Sequence, residues 1–140
     1  MDKSGGIWID QKSATIIDLS NRKKAIIEVF SSIENRKRIP GETKSFGRFG
    51  NQYLDTEKKK EHKFQQELQD YLLDIESHCR DFTHLVIFGP ALMKKRLGDF
   101  LTTSPGFNGV ILDIFPSRAM SKNQKVALVK KYFEEHMHMH

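Results

Sequence analysis

Apolar residues along this chain change period as it proceeds. Residues 5–10 and 14–19 are short apolar runs rich in β-branched side chains, separated by Gln11-Lys12-Ser13. That spacing predicts a hairpin. A turn at Ser20-Asn21-Arg22-Lys23 leads to a third such run at 25–33, and three strands so close in sequence predict a meander. No period is visible over 34–55, which holds Pro40, Gly41, Gly47 and Gly50. A loop this long inside a compact domain is functional or lacks fixed structure. Its few core candidates and high charge predict mobility over 38–55 in the free protein.

A helical period then begins. Phe64, Leu68, Tyr71, Leu72, Ile75 and Cys79 share one face of a 3.6-residue repeat, which predicts a helix over 56–79 with Thr56 as N-cap. Its first two turns hold almost no apolar residue, so they are expected to project from the body. Residues 84–89 form a continuous apolar run closed by Gly89-Pro90, the pattern of a buried parallel strand. A helix is expected over 91–101 with Met93, Leu97, Phe100 and Leu101 on one side. A second buried strand follows at 109–115. A helix over 123–135 turns Val126, Val129, Tyr132 and Phe133 inward.

The order β-β-β-α-β-α-β-α predicts an α/β fold with a mixed five-stranded sheet and helices on both faces. Right-handed crossovers favour sheet order 3-2-1-4-5 with strand 2 antiparallel, the RNase H-like topology. One domain is expected over 1–135, with the loop 34–55 inserted before the long helix. Residues 136–140 (HMHMH) read as a flexible tail.

Charge sharpens this picture. The net charge is +5 over 140 residues. Between Arg36 and Lys63 stand nine basic and four acidic residues, and the rest of the chain balances at fourteen of each. All the excess therefore sits in one segment: Arg36, Lys37, Arg38, Lys44, Arg48, Lys58, Lys59, Lys60 and Lys63. A focused positive patch points to a polyanion partner, although a merely solvated surface has the same composition. The single cysteine, Cys79, excludes an internal disulfide and suits a reducing compartment. The first ten residues lack a basic stretch followed by an apolar one, and no apolar run approaches the roughly 20 residues that span a bilayer. A cytoplasmic protein without a membrane partner is expected. The sequence is silent on oligomeric state.

Catalytic constellations are sparse. Two-metal nuclease chemistry needs several carboxylates around ions about 4 Å apart. Asp10 ends the first strand where one would sit, but strand 4 ends without an acid, and Asp10 reads better as the cap of the following turn. No metal site and no cofactor are expected. Cys79 reads as a core thiol. Lys94, Lys95 and Arg96 open a helix whose N-terminus suits an anion, and a solvated helix face explains them equally.

The element order, the long loop after strand 3 and the lysine-rich helix resemble the middle domain of eukaryotic and archaeal class I peptide-release factors. The same domain occurs in the ribosome-rescue protein Pelota and in bacterial relatives of release factors. In release factors that loop carries Gly-Gly-Gln, which enters the peptidyl-transferase centre and promotes hydrolysis of peptidyl-tRNA. The matching positions here are Gly50, Asn51 and Gln52, with the central glycine replaced. The resemblance implies a small protein that binds the ribosome, rRNA or tRNA, in rescue, stalling or dormancy. Gly47 and Gly50 would allow a tight tip, and Asn51 tolerates the left-handed conformations such a tip uses. Phe46 and Phe49 would stack on unpaired bases while the cations hold phosphates. Under a catalytic alternative Gln52 would orient water in a peptidyl-tRNA hydrolase. A third reading is a protein-interaction module that meets an acidic partner.

Overall fold

The computed structural model describes residues 2–20, 25–33 and 50–137, with 50–55 and 137 described by backbone alone. Side chains alternate across β1 (Ser4–Ile9), so Ile7 and Ile9 lie on one side and Gly6 and Trp8 on the other, all of them buried. A strand buried on both sides belongs in the middle of a covered sheet. Leu85 and Ile87 alternate with Val86 and Phe88 in β4 (His84–Gly89) in the same way. β1 and β4 pair in parallel, Ile7 opposite Ile87. β2 (Ser13–Asp18) returns antiparallel along the other edge of β1, and β3 (Ala25–Phe30) pairs antiparallel with β2. β5 (Val110–Pro116) adds in parallel beyond β4, with a register irregularity at Leu85/Val86. Among the described residues these five strands form one mixed sheet of order β3-β2-β1-β4-β5. This is the expected RNase H-like topology, with strand 2 antiparallel.

Among the described residues two helices cover one face and one covers the other. The first core joins Ile7, Ile9, Ile16, Leu85 and Ile87 to α1 (Gly50–Ser77) and α2 (Met93–Thr103) through Leu68, Leu72, Ile75, Leu97 and Leu101. The second joins Trp8, Ile17, Val86 and Phe88 to Val126, Val129 and Phe133 of α3 (Lys122–Met137). In this second core the Lys125 ammonium lies 3.8 Å from the centre of the Trp8 ring and donates to Thr15 Oγ1 at 3.0 Å. The cation thus gains a π face and an acceptor in place of the water it loses. Trp8 Nε1 donates to the Arg118 carbonyl at 3.2 Å, tying the approach to α3 onto the sheet.

The structure differs from the sequence reading at four points. α1 starts at Gly50, not at Thr56, and ends at Ser77. No proline falls between Pro40 and Pro90, so nothing breaks the helix where the apolar stripe fades, and glycine serves well at a helix start. β5 is not a buried strand. It is the edge of the sheet, and Val110 is 56% exposed. A run that is apolar except for Asp113 predicts cover on both faces, and the edge position denies it. Finally, α3 continues to Met137, so His136 belongs to the helix, stacked on Tyr132 with ring centres 4.1 Å apart. Residues 34–49 and 138–140, where the inserted loop and the rest of the expected tail fall, lie outside the described residues.

Cys79 follows α1 in full burial, and loss of hydration pushes its thiol up to about 12 from an ordinary 9.0. Burial, and then the charge of Asp10, raise the Tyr71 phenol as well. Both groups bind their protons more tightly when folded. Their stabilising effect is complete below pH 9 and is lost as pH climbs towards the folded values. Lys125 works the other way, because burial lowers its folded value and deprotonation relieves that cost. Three acids, the Tyr132 phenol being raised as well, oppose one base, so stability is expected to fall between about pH 9 and 12 by up to ~4 kcal/mol for Cys79 alone. Denaturant titrations across that range check it, and Cys79→Ala should flatten the slope.

Candidate nucleic-acid interface

The N-terminal half of α1 is the described part of the basic segment. With 28 residues the helix is about 42 Å long, but among its described side chains, from Thr56 onward, the first buried one is Leu68. Residues 56–63 are all exposed, including Lys58, Lys59, Lys60 and Lys63. This matches the expectation that the lysine-bearing turns leave the body. Glu57 lies 4.0 Å from Lys60 within the same stretch. Beyond Phe64 the helix is anchored: Tyr71 Oη donates to the Asp10 carbonyl at 2.9 Å, joining α1 to the β1–β2 turn.

Arg36, Lys37, Arg38, Lys44, Phe46, Gly47, Arg48 and Phe49 lie outside the described residues. Gly50, Asn51 and Gln52 are described by backbone and form the first turn of α1. Gly89 and Ala91 are the positive-φ positions among the described residues, so Gly50 and Asn51 are helical rather than left-handed. The tip expected from Gly47 and Gly50 falls for the most part outside the described residues.

A cavity of about 460 Å³ opens where α1 leaves the body, at the C-terminal ends of β1 and β4. Phe64 of α1, Pro90, Leu92 and Met93 make its apolar wall, and Lys12 of the β1–β2 turn and Arg96 of α2 stand at it. Gly89 creates the approach. Its φ is +147°, and a Cβ there would sit 2.1 Å from the Ile9 carbonyl oxygen, so only glycine lets the end of β4 cross so near β1. Ala91 then takes φ 54°. Its carbonyl accepts from Lys94 Nζ, which keeps that cation at the same end of the molecule.

Asp10 also lines this cavity. Its Oδ1 accepts from the backbone N–H of Lys12 and of Ser13, each at 2.8 Å, which is the turn-capping role read from the sequence. Among the described residues no group of three or more His, Cys, Asp or Glu side chains is placed to hold a metal ion. Asp113 is exposed and faces Tyr132, whose phenol is raised by burial and then by that carboxylate. Among the described residues no helix is long and apolar enough to cross a membrane.

Sequence reading singled out Lys94, Lys95 and Arg96 but missed Lys12 and took Phe64 for core alone. Lys12 sits in a two-strand turn some fifty residues before Phe64. Only the parallel pairing of β1 with β4 brings them to one rim, and no local pattern signals that.

No family model matches the chain, and no curated protein matches it in sequence. Among solved structures it is similar to Pelota of Archaeoglobus fulgidus, with a TM-score of 0.50 and 14% identity. The match covers 94% of this chain and 31% of that one, so this chain spans about a third of Pelota. At that identity the likeness is one of fold.

Proposed function

We propose that this chain is a small release-factor-like protein that binds the ribosome or tRNA through its basic segment, in rescue, stalling or dormancy. The observation that carries this reading is the exposed lysine-bearing stretch at 56–63 on a fold shared with Pelota. Lys12, Lys94, Lys95 and Arg96 gather at the same end of the molecule and enlarge the cationic surface. Phosphate contacts from such a surface supply affinity without reading sequence. Arg36, Lys37, Arg38, Lys44 and Arg48 extend the patch along the chain, and Phe46 and Phe49 serve as stacking residues within it.

Gln52 acts in placement rather than in hydrolysis on this reading. Hydrolysis needs water and an ester carbonyl within hydrogen-bond reach of fixed donors, and a shift of about 1 Å costs roughly 100-fold in rate. Asn51 adds a side chain where release factors have none. The test combines two readouts on purified ribosomes loaded with peptidyl-tRNA. The protein should co-sediment at low salt and wash off at high salt, and wild type should release little peptide. Efficient release that vanishes in Gln52→Ala would make the chain a peptidyl-tRNA hydrolase. Failure to sediment at any salt would remove the ribosome from the reading.

A further inference from the structure

We infer that the groove between the C-terminal halves of α1 and α2 docks a basic peptide segment of another protein, with an apolar side chain seated between Leu73 and Phe100 and a lysine or arginine reaching Glu76. This goes beyond the RNA reading and does not rest on it. α1 is electrically divided. Residues 56–63 carry four lysines, whereas from Phe64 to Cys79 there are four acids and no lysine or arginine. At that acidic end the two helices enclose a groove of about 630 Å³. Leu73 of α1 and Phe100 of α2 give it apolar walls, and Pro105 and Gly106, just after α2, complete them. Leu73 is 46% exposed. The described residues that flank the stretch 34–49 stand at the opposite end of the molecule. Gly50 lies about 34 Å back along α1 from Leu73, and β3 ends at Phe30, opposite Ser13 of the β1–β2 turn.

Glu76 lines the groove and is itself buried. Its Oε2 accepts from Ser104 Oγ, and its Oε1 stands 3.5 Å from Arg80 Nη2. A carboxylate oxygen accepts two donors, so Oε1 has capacity for the N–H of an incoming cation. Gly106 keeps that oxygen uncrowded, since a Cβ there would stand 2.9 Å from it. Asp70 and Asp99 are exposed on the outer sides of the two helices. Asp70 is one turn from Leu73, and Asp99 is one turn from Thr103, whose Oγ1 donates to the Asp99 carbonyl at 3.1 Å. An apolar cleft with acids along both rims complements an apolar side chain set between lysines or arginines. The same acids repel phosphates, so the occupant is a protein segment and not a nucleic acid.

The probe is a fluorescein-labelled peptide with one leucine between two Lys-Arg pairs. It is compared with a peptide carrying serine for the leucine and with one carrying glutamine for every lysine and arginine. Fluorescence anisotropy reads binding to the full chain at fixed low salt. Wild type should bind the leucine peptide roughly 10-fold more tightly than the serine peptide, the scale of one buried apolar side chain, and the glutamine peptide most weakly. Leu73→Ser, at a half-exposed position that leaves the fold intact, should erase the leucine margin. Asp70→Asn combined with Asp99→Asn should weaken both cationic peptides about equally, by roughly 5-fold, and keep the margin. Glu76→Gln, which can still accept from Ser104, should weaken both cationic peptides and leave the glutamine peptide unchanged. Equal binding of the leucine and serine peptides by wild type, a leucine margin that survives Leu73→Ser, or no binding of the leucine peptide overturns the inference. So does self-association of wild type that Leu73→Ser abolishes, because the groove then belongs to a second copy. Leu73→Ser should sediment with ribosomes as wild type does, which keeps this test separate from the RNA reading.

Discussion

Reversing Lys58, Lys59 and Lys60 to glutamate is expected to cost about 100-fold in affinity for ribosomes or structured RNA near 0.1 M salt. The three lysines lie on consecutive exposed positions of α1, two turns ahead of the buried Leu68. Each phosphate neutralised by a protein cation releases condensed counterions, so each contact adds close to one unit to the slope of log affinity against log salt. Losing three contacts should lower that slope by about 2 to 3, and the new carboxylates add repulsion. The fold should be untouched, since surface substitutions away from packed features usually change stability by less than about 0.5 kcal/mol. Sedimentation across a salt titration and a thermal melt of the variant check both halves. An affinity indifferent to salt in the wild type would remove the polyanion partner. An acidic protein partner is distinguished by pull-downs that survive nuclease treatment.

The second large effect is on stability. Gly89→Ala is expected to destabilise the protein by roughly 3 kcal/mol or more. A Cβ at this position would stand 2.1 Å from the Ile9 carbonyl oxygen and 3.1 Å from its carbon. These are backbone atoms of the central strand β1 and cannot swing aside like the end of a flexible side chain. The φ of +147° adds a second cost, because L residues rarely adopt it. Relief requires β1 and β4 to separate at the end that forms the Phe64 cavity. Denaturant unfolding should show a lower midpoint with a similar slope. A wild-type midpoint would mean that the turn after β4 relaxes more freely than its packing implies.

Local pattern was sufficient for most of the fold. Strands β1 and β4 declare themselves by unbroken apolar runs, because strands buried on both faces leave no polar position to alternate. The apolar stripe Phe64-Leu68-Tyr71-Leu72-Ile75 declares the packed half of α1, because one helix face meets one sheet face. The handedness of crossovers then reduces the possible orders to few, and the observed order is the one expected. The excess charge between Arg36 and Lys63 is likewise a property of the sequence alone, as is the turn-capping chemistry of Asp10.

The tertiary structure decided what depends on separation in space. The start of α1 at Gly50 follows from backbone hydrogen bonding that continues upstream of the apolar stripe that begins at Phe64. The exposure of β5 follows from its place at the sheet edge, which its apolar residues do not reveal. The cavity is wholly a tertiary object. Lys12, Phe64, Leu92 and Arg96 come from a turn and two helices far apart in the chain, and they share one rim because β1 and β4 pair in parallel and Gly89 lets their ends approach. Sequence patterns report neighbours along the chain and along one face of an element. A binding site built across elements is a matter of packing, and packing is fixed only when the sheet order, the register and the close approaches are all in place.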